Sequence, residues 1–147
     1  MYSAILIPHI FFSILLILVA FFVVIRSLLG VLSQLRFSKL LDLSVPIFAV
    51  VLLYLELILG LILYAIHINN LENLINQENA NTYFSARFWA VEHAILMIFA
   101  IIFGHLGLVY AKNLELEKQK FQKNLLYFGL CFLLIIFSIG MNMLRNG

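Results

Sequence analysis

Four apolar runs, at residues 3–25, 44–67, 86–110 and 124–144, fill most of the 147-residue chain. Each is about as long as the ~20 residues needed to cross a ~30 Å hydrocarbon layer. Within each run the small and polar residues recur in steps of three and four, which keeps them on one side of a helix. The first stripe reads His9, Ser13, Leu16, Ala20 and Ser27; the second Ala49, Leu52, Glu56, Gly60, Leu63 and His67. The third reads His93, Met97, Ala100, Gly104 and Gly107; the fourth Gln122, Leu125, Gly129, Leu133, Ile136, Gly140 and Met143. Lipid tails solvate Leu and Phe as well as protein does, so small and polar residues mark the faces that helices turn to one another in a membrane. The pattern predicts an all-α, integral membrane four-helix bundle running up-down-up-down, with histidines and a carboxylate pointing inward.

Hydrophobic residues make up 65% of the chain and charged ones 11%, too few to cover a soluble domain of this length. Once four spans and their connectors are placed, there is room for one domain only, residues 1–147. A net charge of +2 is too small to point to nucleic acid. The single cysteine, Cys131, lies within the fourth run, so neither a disulfide framework nor a Cys-based metal site is expected, and packing is its role. The first run lacks a basic leader and a small-x-small cleavage motif before Arg26, which makes it a retained span rather than a signal peptide.

Charge placement gives an orientation. Seven of the nine basic residues (Arg26, Arg36, Lys39, Lys112, Lys118, Lys120 and Lys123) fall in or beside the first and third connectors. The positive-inside rule puts those connectors in the cytoplasm, and residues 69–85 and both termini outside. In the outer segment Leu71, Leu74 and Ile75 suggest a short helix on the membrane surface. Tyr2, Tyr64, Tyr83 and Trp89 belong to an outer aromatic belt, with packing an equal alternative for Trp89.

A rise of 1.5 Å per residue places His9 and His93 each about 7 Å outside the midplane, at one depth on the first and third helices. Gly60 lies near that level and Gly140 slightly further out. Two imidazoles with glycines on the other two helices leave a slot for a flat macrocycle, and haem iron is commonly held by axial histidine in bundle cores. The same residues also serve a plainer arrangement, in which the histidines bond neighbouring helices and the glycines allow close packing. Glu56 lies near the midplane on the inward stripe, where a carboxylate is costly to ionise and marks a functional position by default. It is a candidate proton or hydrogen-bond relay, or a neutral acid bonded to another helix. His67, at the outer interface on the same face, is a weaker relay candidate, either near a propionate or in water. His105, about 120° around its helix from His93, is either a second ligand or, better, an interhelical hydrogen bond. Arg87 would neutralise an anionic group such as a propionate. No phosphate loop, dinucleotide fingerprint, HExxH or Ser/His/Asp signature is present.

Several segments carry a resemblance: Met1-Tyr2 with His9 following, Arg26-Ser27-Leu28-Leu29-Gly30, and Leu59-Gly60-Leu61-Ile62-Leu63-Tyr64. The clearest is Arg87-Phe88-Trp89-Ala90-Val91-Glu92-His93 with Met97, followed by Gly104-His105-Leu106-Gly107. Over most of its length the chain resembles the small four-helix bacterial membrane proteins of the cytochrome b-like family. That resemblance implies haem b and electron transfer in the bacterial inner membrane, alone or as a subunit of a respiratory or other membrane complex. Where the family pattern has a further N-terminal histidine and a His-x-Gln on the second helix, this chain has Ile7 and Tyr54-Leu55-Glu56. Two candidate ligands of the family pattern are therefore missing here, and the resemblance gives no support to a second haem or to a ligand from the second helix. Two other classes stand beside it: a cofactor-free accessory subunit of a larger membrane complex, and a membrane oxidoreductase handling a tetrapyrrole or quinone, similar in size to four-helix protoporphyrinogen oxidases. The partners expected are the lipid bilayer, a membrane protein or a second copy of the chain, and a quinone or other redox partner.

Overall fold

The computed structural model describes the backbone of residues 2–75 and 91–146 and the side chains of residues 2–66 and 91–141. Helix α1 spans Tyr2–Ser33, and a π-helical turn, Lys39–Ser44, leads directly into α2, Val45–Ile75. Helices α3, His93–Asn113, and α4, Glu117–Asn146, complete the order. Helices α1 and α4 run past both ends of the apolar runs that predict them, and α2 and α3 run past the C-terminal ends of theirs. Arg26 continues α1, and Pro8 lies near its start without ending it. Leu71, Leu74 and Ile75, expected in a separate surface helix, instead extend α2. Helix α1 stops where Gln34 takes a left-handed φ of 49°, the conformation that commonly closes a helix.

Side-chain contacts define the arrangement. Residue numbers run in opposite senses across every adjacent pair: His9 meets Glu56 while Arg26 meets Asp42, and His93 meets Ser138 while Gly107 meets Phe128. The bundle is therefore up-down-up-down. Helix α1 packs on α2 and α4, and α3 packs on the same two, so α1 and α3 stand at opposite corners.

The interior is layered. One apolar layer gathers Leu16, Leu52, Leu53, Ala100, Ile101, Cys131 and Ile135, and the next gathers Val23, Ala49, Val50, Leu108 and Phe128. Cys131 is buried as a packing residue, as the sequence predicts. Beyond the second layer Asp42, 2% exposed, takes up the loose ends of the first connector. Its carboxylate accepts from Arg26 Nε at 2.8 Å, Arg26 Nη2 at 3.1 Å and the Ser38 backbone N–H at 2.7 Å. Its carbonyl oxygen accepts from Asn124 Nδ2 of α4 at 3.3 Å.

Three of the predicted inward stripes match the buried faces: Leu16, Ala20 and Ser27; Ala49, Leu52 and Glu56; Ala100, Gly104 and Gly107 are buried. The fourth does not. Gln122, Leu133 and Ile136 are exposed, and the buried face of α4 is Phe121, Asn124, Phe128, Cys131, Ile135 and Ser138. The glycines that matter to α4 belong to its neighbours. The Phe121 ring occupies the space a side chain at Gly30 of α1 would need, and a Cβ on Gly107 of α3 would stand 3.0 Å from the Phe128 ring. These fits rotate α4 about one residue, or roughly 100°, from the face its own glycines suggest.

Gly30→Ala is expected to destabilise the bundle by about 1–3 kcal/mol through overpacking against Phe121. Gly30→Ala with Phe121→Leu should recover most of that loss when unfolding is followed in mixed micelles. Equal stability of Gly30→Ala and the parent would refute the ring-on-glycine account.

Outside, the bundle is apolar: Ile7, Phe11, Leu18, Val51, Ile58, Leu61, Leu133 and Phe137 are each more than half exposed. Only 28–33% of the most apolar window of each span is buried inside the molecule. Such a surface would be insoluble in water and is solvated by lipid tails. All four helices are long and apolar enough to cross a bilayer, and the chain is a multi-pass membrane protein. Tyr2 and Tyr64, both exposed, lie toward the same end, where an aromatic belt would sit.

Candidate functional site

Above the apolar layers, toward the Tyr2 end, the four helices each contribute polar atoms to one level. The imidazoles of His9 on α1 and His93 on α3 meet across the bundle's diagonal, with ring centroids 6.4 Å apart and ring planes at 87°. The equal depth predicted from residue spacing is thus realised as contact. Both histidines reach the centre because they continue the inward stripes of α1 and α3.

Each ring is oriented by a helix at another corner. His9 Nδ1 lies 2.7 Å from Glu56 Oε2 of α2, but the oxygen stands off the ring N–H direction, so the close contact lacks hydrogen-bond alignment. The same Oε2 accepts a 2.8 Å hydrogen bond from Ser13 Oγ, one turn along α1 from His9. His93 Nδ1 and Ser138 Oγ of α4 share a hydrogen bond of 2.7 Å. With Nδ1 of each ring turned to its partner, Nε2 is the nitrogen on the far edge. Metal-bound histidines typically hydrogen-bond through the second ring nitrogen; His93 has such a bond, and His9 has a carboxylate at contact distance without the alignment.

The layer is not saturated. Glu56 is 8% exposed, and its Oε1, like His9 Nδ1, is buried without a hydrogen-bond partner among the described residues. Buried polar atoms are nearly always paired, and exceptions concentrate where a structure does chemistry or holds a ligand.

Two imidazoles suit one ligand class better than another. Among the described residues no group of three or more His, Cys, Asp and Glu side chains gathers as a metal cluster. A macrocycle that brings its own equatorial nitrogens needs only two axial ones. On the other diagonal Gly60 and Ser138 are small beside Glu56: 3.8 Å separates a Cβ built on Gly60 from His9 Cε1, and Ser138 is bonded to His93. The residues present fit a haem held between His9 and His93.

The other predicted positions fall as follows. Among the described residues nothing lies within 4 Å of a Cβ placed on Gly140, and it is Ser138 of the same helix that contacts His93. His105 is exposed on the outer face, where its ring meets the Tyr54 ring edge-on at 6.5 Å and 81°. Among the described residues it makes no interhelical hydrogen bond, and it lies apart from the histidine pair. Its partner is another aromatic at the α2–α3 seam because the next residues inward, Leu53 and Gly104, bring these helices together. Arg87, Trp89 and Tyr83 and the side chain of His67 lie outside the described residues.

Ser138, Asp42 and Asn124 escape the sequence reading. Ser138 lies two residues from Gly140 and is found only once the rotation of α4 is known. Asp42 had a local signal, a lone acid in a basic connector, but not its partners. Comparison with family models, with curated proteins and with solved structures finds no match to this chain.

Proposed function

We propose that this chain binds one b-type haem between His9 and His93 and passes electrons within the membrane. The observation that carries the reading is the pair of diagonal imidazoles 6.4 Å apart, each with Nδ1 against a side chain of a neighbouring corner. Held by His9 and His93, a haem would supply a one-electron couple, which suits electron transfer rather than oxygen chemistry. The chain's own residues do the rest. Glu56 and Ser138 fix the imidazole orientations, Ser13 holds the Glu56 carboxyl in place, and the apolar layers below keep water away. Gly60 leaves room beside His9. Arg87 would meet a propionate at the outer interface.

The proposed setting is the bacterial inner membrane, with the basic end in the cytoplasm by the positive-inside rule and the histidine layer near the outer leaflet. A role in a larger respiratory or other membrane complex, or with a quinone or other redox partner, accords with a chain that has little surface outside the bilayer.

A second reading has its own support. The two rings already meet edge-on, and His93 is hydrogen-bonded to Ser138, so the same layer also serves as polar glue in a cofactor-free accessory subunit. The visible spectrum of protein purified from haem-replete cells separates the two. Low-spin bands that sharpen on reduction, at one haem per chain, are expected; a colourless protein that co-purifies with membrane partners would sink the haem proposal and leave the accessory role.

A further inference from the structure

The opposite end of the bundle holds a second arrangement. The first and third connectors meet there through the rings of Phe37 and Phe121, 5.4 Å apart. Of the basic residues gathered at this end, Arg26 is taken up by Asp42. Arg36, Lys39, Lys112, Lys118, Lys120 and Lys123 have no carboxylate within 4.0 Å among the described residues, although Glu115 and Glu117 share their connector.

Two of these six cations are held in place. Lys120 Nζ lies 4.9 Å from the centroid of the Phe37 ring. Lys123 Nζ lies 5.2 Å from that of Tyr110, whose ring stacks on Tyr127 at 5.3 Å and 5°. The aromatic faces attract the ammoniums and restrict side chains that would otherwise lose rotamer freedom on binding. Three residues apart on α4, the lysines project from the same side of the helix, with Cβ atoms about 5–6 Å apart. Leu40, Leu41 and Leu116, at 71%, 40% and 61% exposure, carry the apolar surface right up to the connectors. The hydrocarbon boundary therefore runs at this level, and the two ammoniums stand at headgroup depth, where Lys and Arg stems reach to keep their charge in the polar zone.

We propose that Lys120 and Lys123 form a binding site for the headgroup phosphate of an anionic phospholipid. Lysine meets phosphate as a compact point charge, and two of them on one helix face can share a phosphodiester. The site is independent of the histidine layer and of any haem.

The test uses the full-length protein in nanodiscs of phosphatidylcholine with a minor fraction of phosphatidylglycerol, with co-purifying lipid read by native mass spectrometry. Each cation near an anionic surface contributes about fivefold, so Lys120→Gln/Lys123→Gln should retain about 25-fold less phosphatidylglycerol. It should unfold like the parent in pure phosphatidylcholine. Lys112→Gln/Lys118→Gln, which removes two cations away from the rings, should retain lipid nearly as the parent does. Unchanged retention in the first variant would overturn the site. Equal losses in both variants would replace it with a diffuse surface potential. Displacement of the lipid by millimolar inorganic phosphate would reassign it to a free anion. If the double variant does not fold, Lys123→Gln alone, expected to lose about fivefold, decides the matter on the same readout.

Discussion

His9→Ala and His93→Ala are each expected to abolish the low-spin haem spectrum, because either change removes one of the two residues that would hold the haem and leaves a cavity where the ring stood. Bound haem should fall by more than about tenfold, or persist only in a high-spin form. Glu56→Gln is a milder change. It keeps a side chain of similar size against Ser13 and His9 while removing the carboxylate that orients the ring, and partners of this kind contribute about 10–100-fold to metal affinity. Its spectrum should stay low-spin while haem is lost more readily to an apo-protein acceptor. His105→Ala, on the lipid-facing side against Tyr54, should change neither property. Normal spectra in both His9→Ala and His93→Ala would eliminate this ligand pair.

Asp42→Ala is expected to produce the largest loss of stability of any single change outside the histidine layer, about 3 kcal/mol or more. It leaves Arg26 without its partner, and removing one member of a buried ion pair strands the other. The Ser38 N–H loses its acceptor in the same step. The Asp42 side chain is 1% exposed and that of Arg26 is 22% exposed, so water can relieve the guanidinium only in part. Replacing both partners with apolar residues, Arg26→Met/Asp42→Leu, should recover much of the loss, since the penalty lies in the unpaired charge. Unfolding in mixed micelles measures both variants, and Asp42→Ala matching the parent would overturn the role given to this pair. Arg26 lies 17 residues, or about 25 Å of helix rise, from His9. The haem spectrum of folded Asp42→Ala should therefore be unchanged, which separates stability from function.

Much of the architecture is legible along the chain, and the reason is local. A helix needs only its own residues to cross lipid, since every backbone group bonds within the segment. Span number, span order and the gathering of basic residues at one end therefore follow from the one-dimensional pattern. So does the shared depth of His9 and His93, because rise per residue is fixed. The inward faces of α1, α2 and α3 are equally readable, since their small and polar residues lie on one stripe and serve their own helix's contacts.

What the sequence does not contain is the relation of one helix to another. The rotation of α4 depends on Phe121 entering the space at Gly30 and Phe128 that at Gly107, pairings separated by 91 and 21 positions in the chain. A glycine read along its own helix gives no hint that its purpose is to receive a ring from a different one. That rotation carries Ser138 rather than Gly140 to the histidine layer. The diagonal placement of α1 and α3 is likewise tertiary: equal depth makes a meeting of His9 and His93 permissible, and only the ring order of helices brings the imidazoles edge-on to one another across the centre. His105 shows the converse. Its offset around α3 is plain from residue spacing, but whether that direction meets another helix or lipid depends on where α2 packs, and the close approach of Leu53 to Gly104 leaves His105 and Tyr54 outside. Segment identity and depth are properties of a single helix. Partner, rotation and corner are properties of packing, decided by volumes that fit only when all four helices are present.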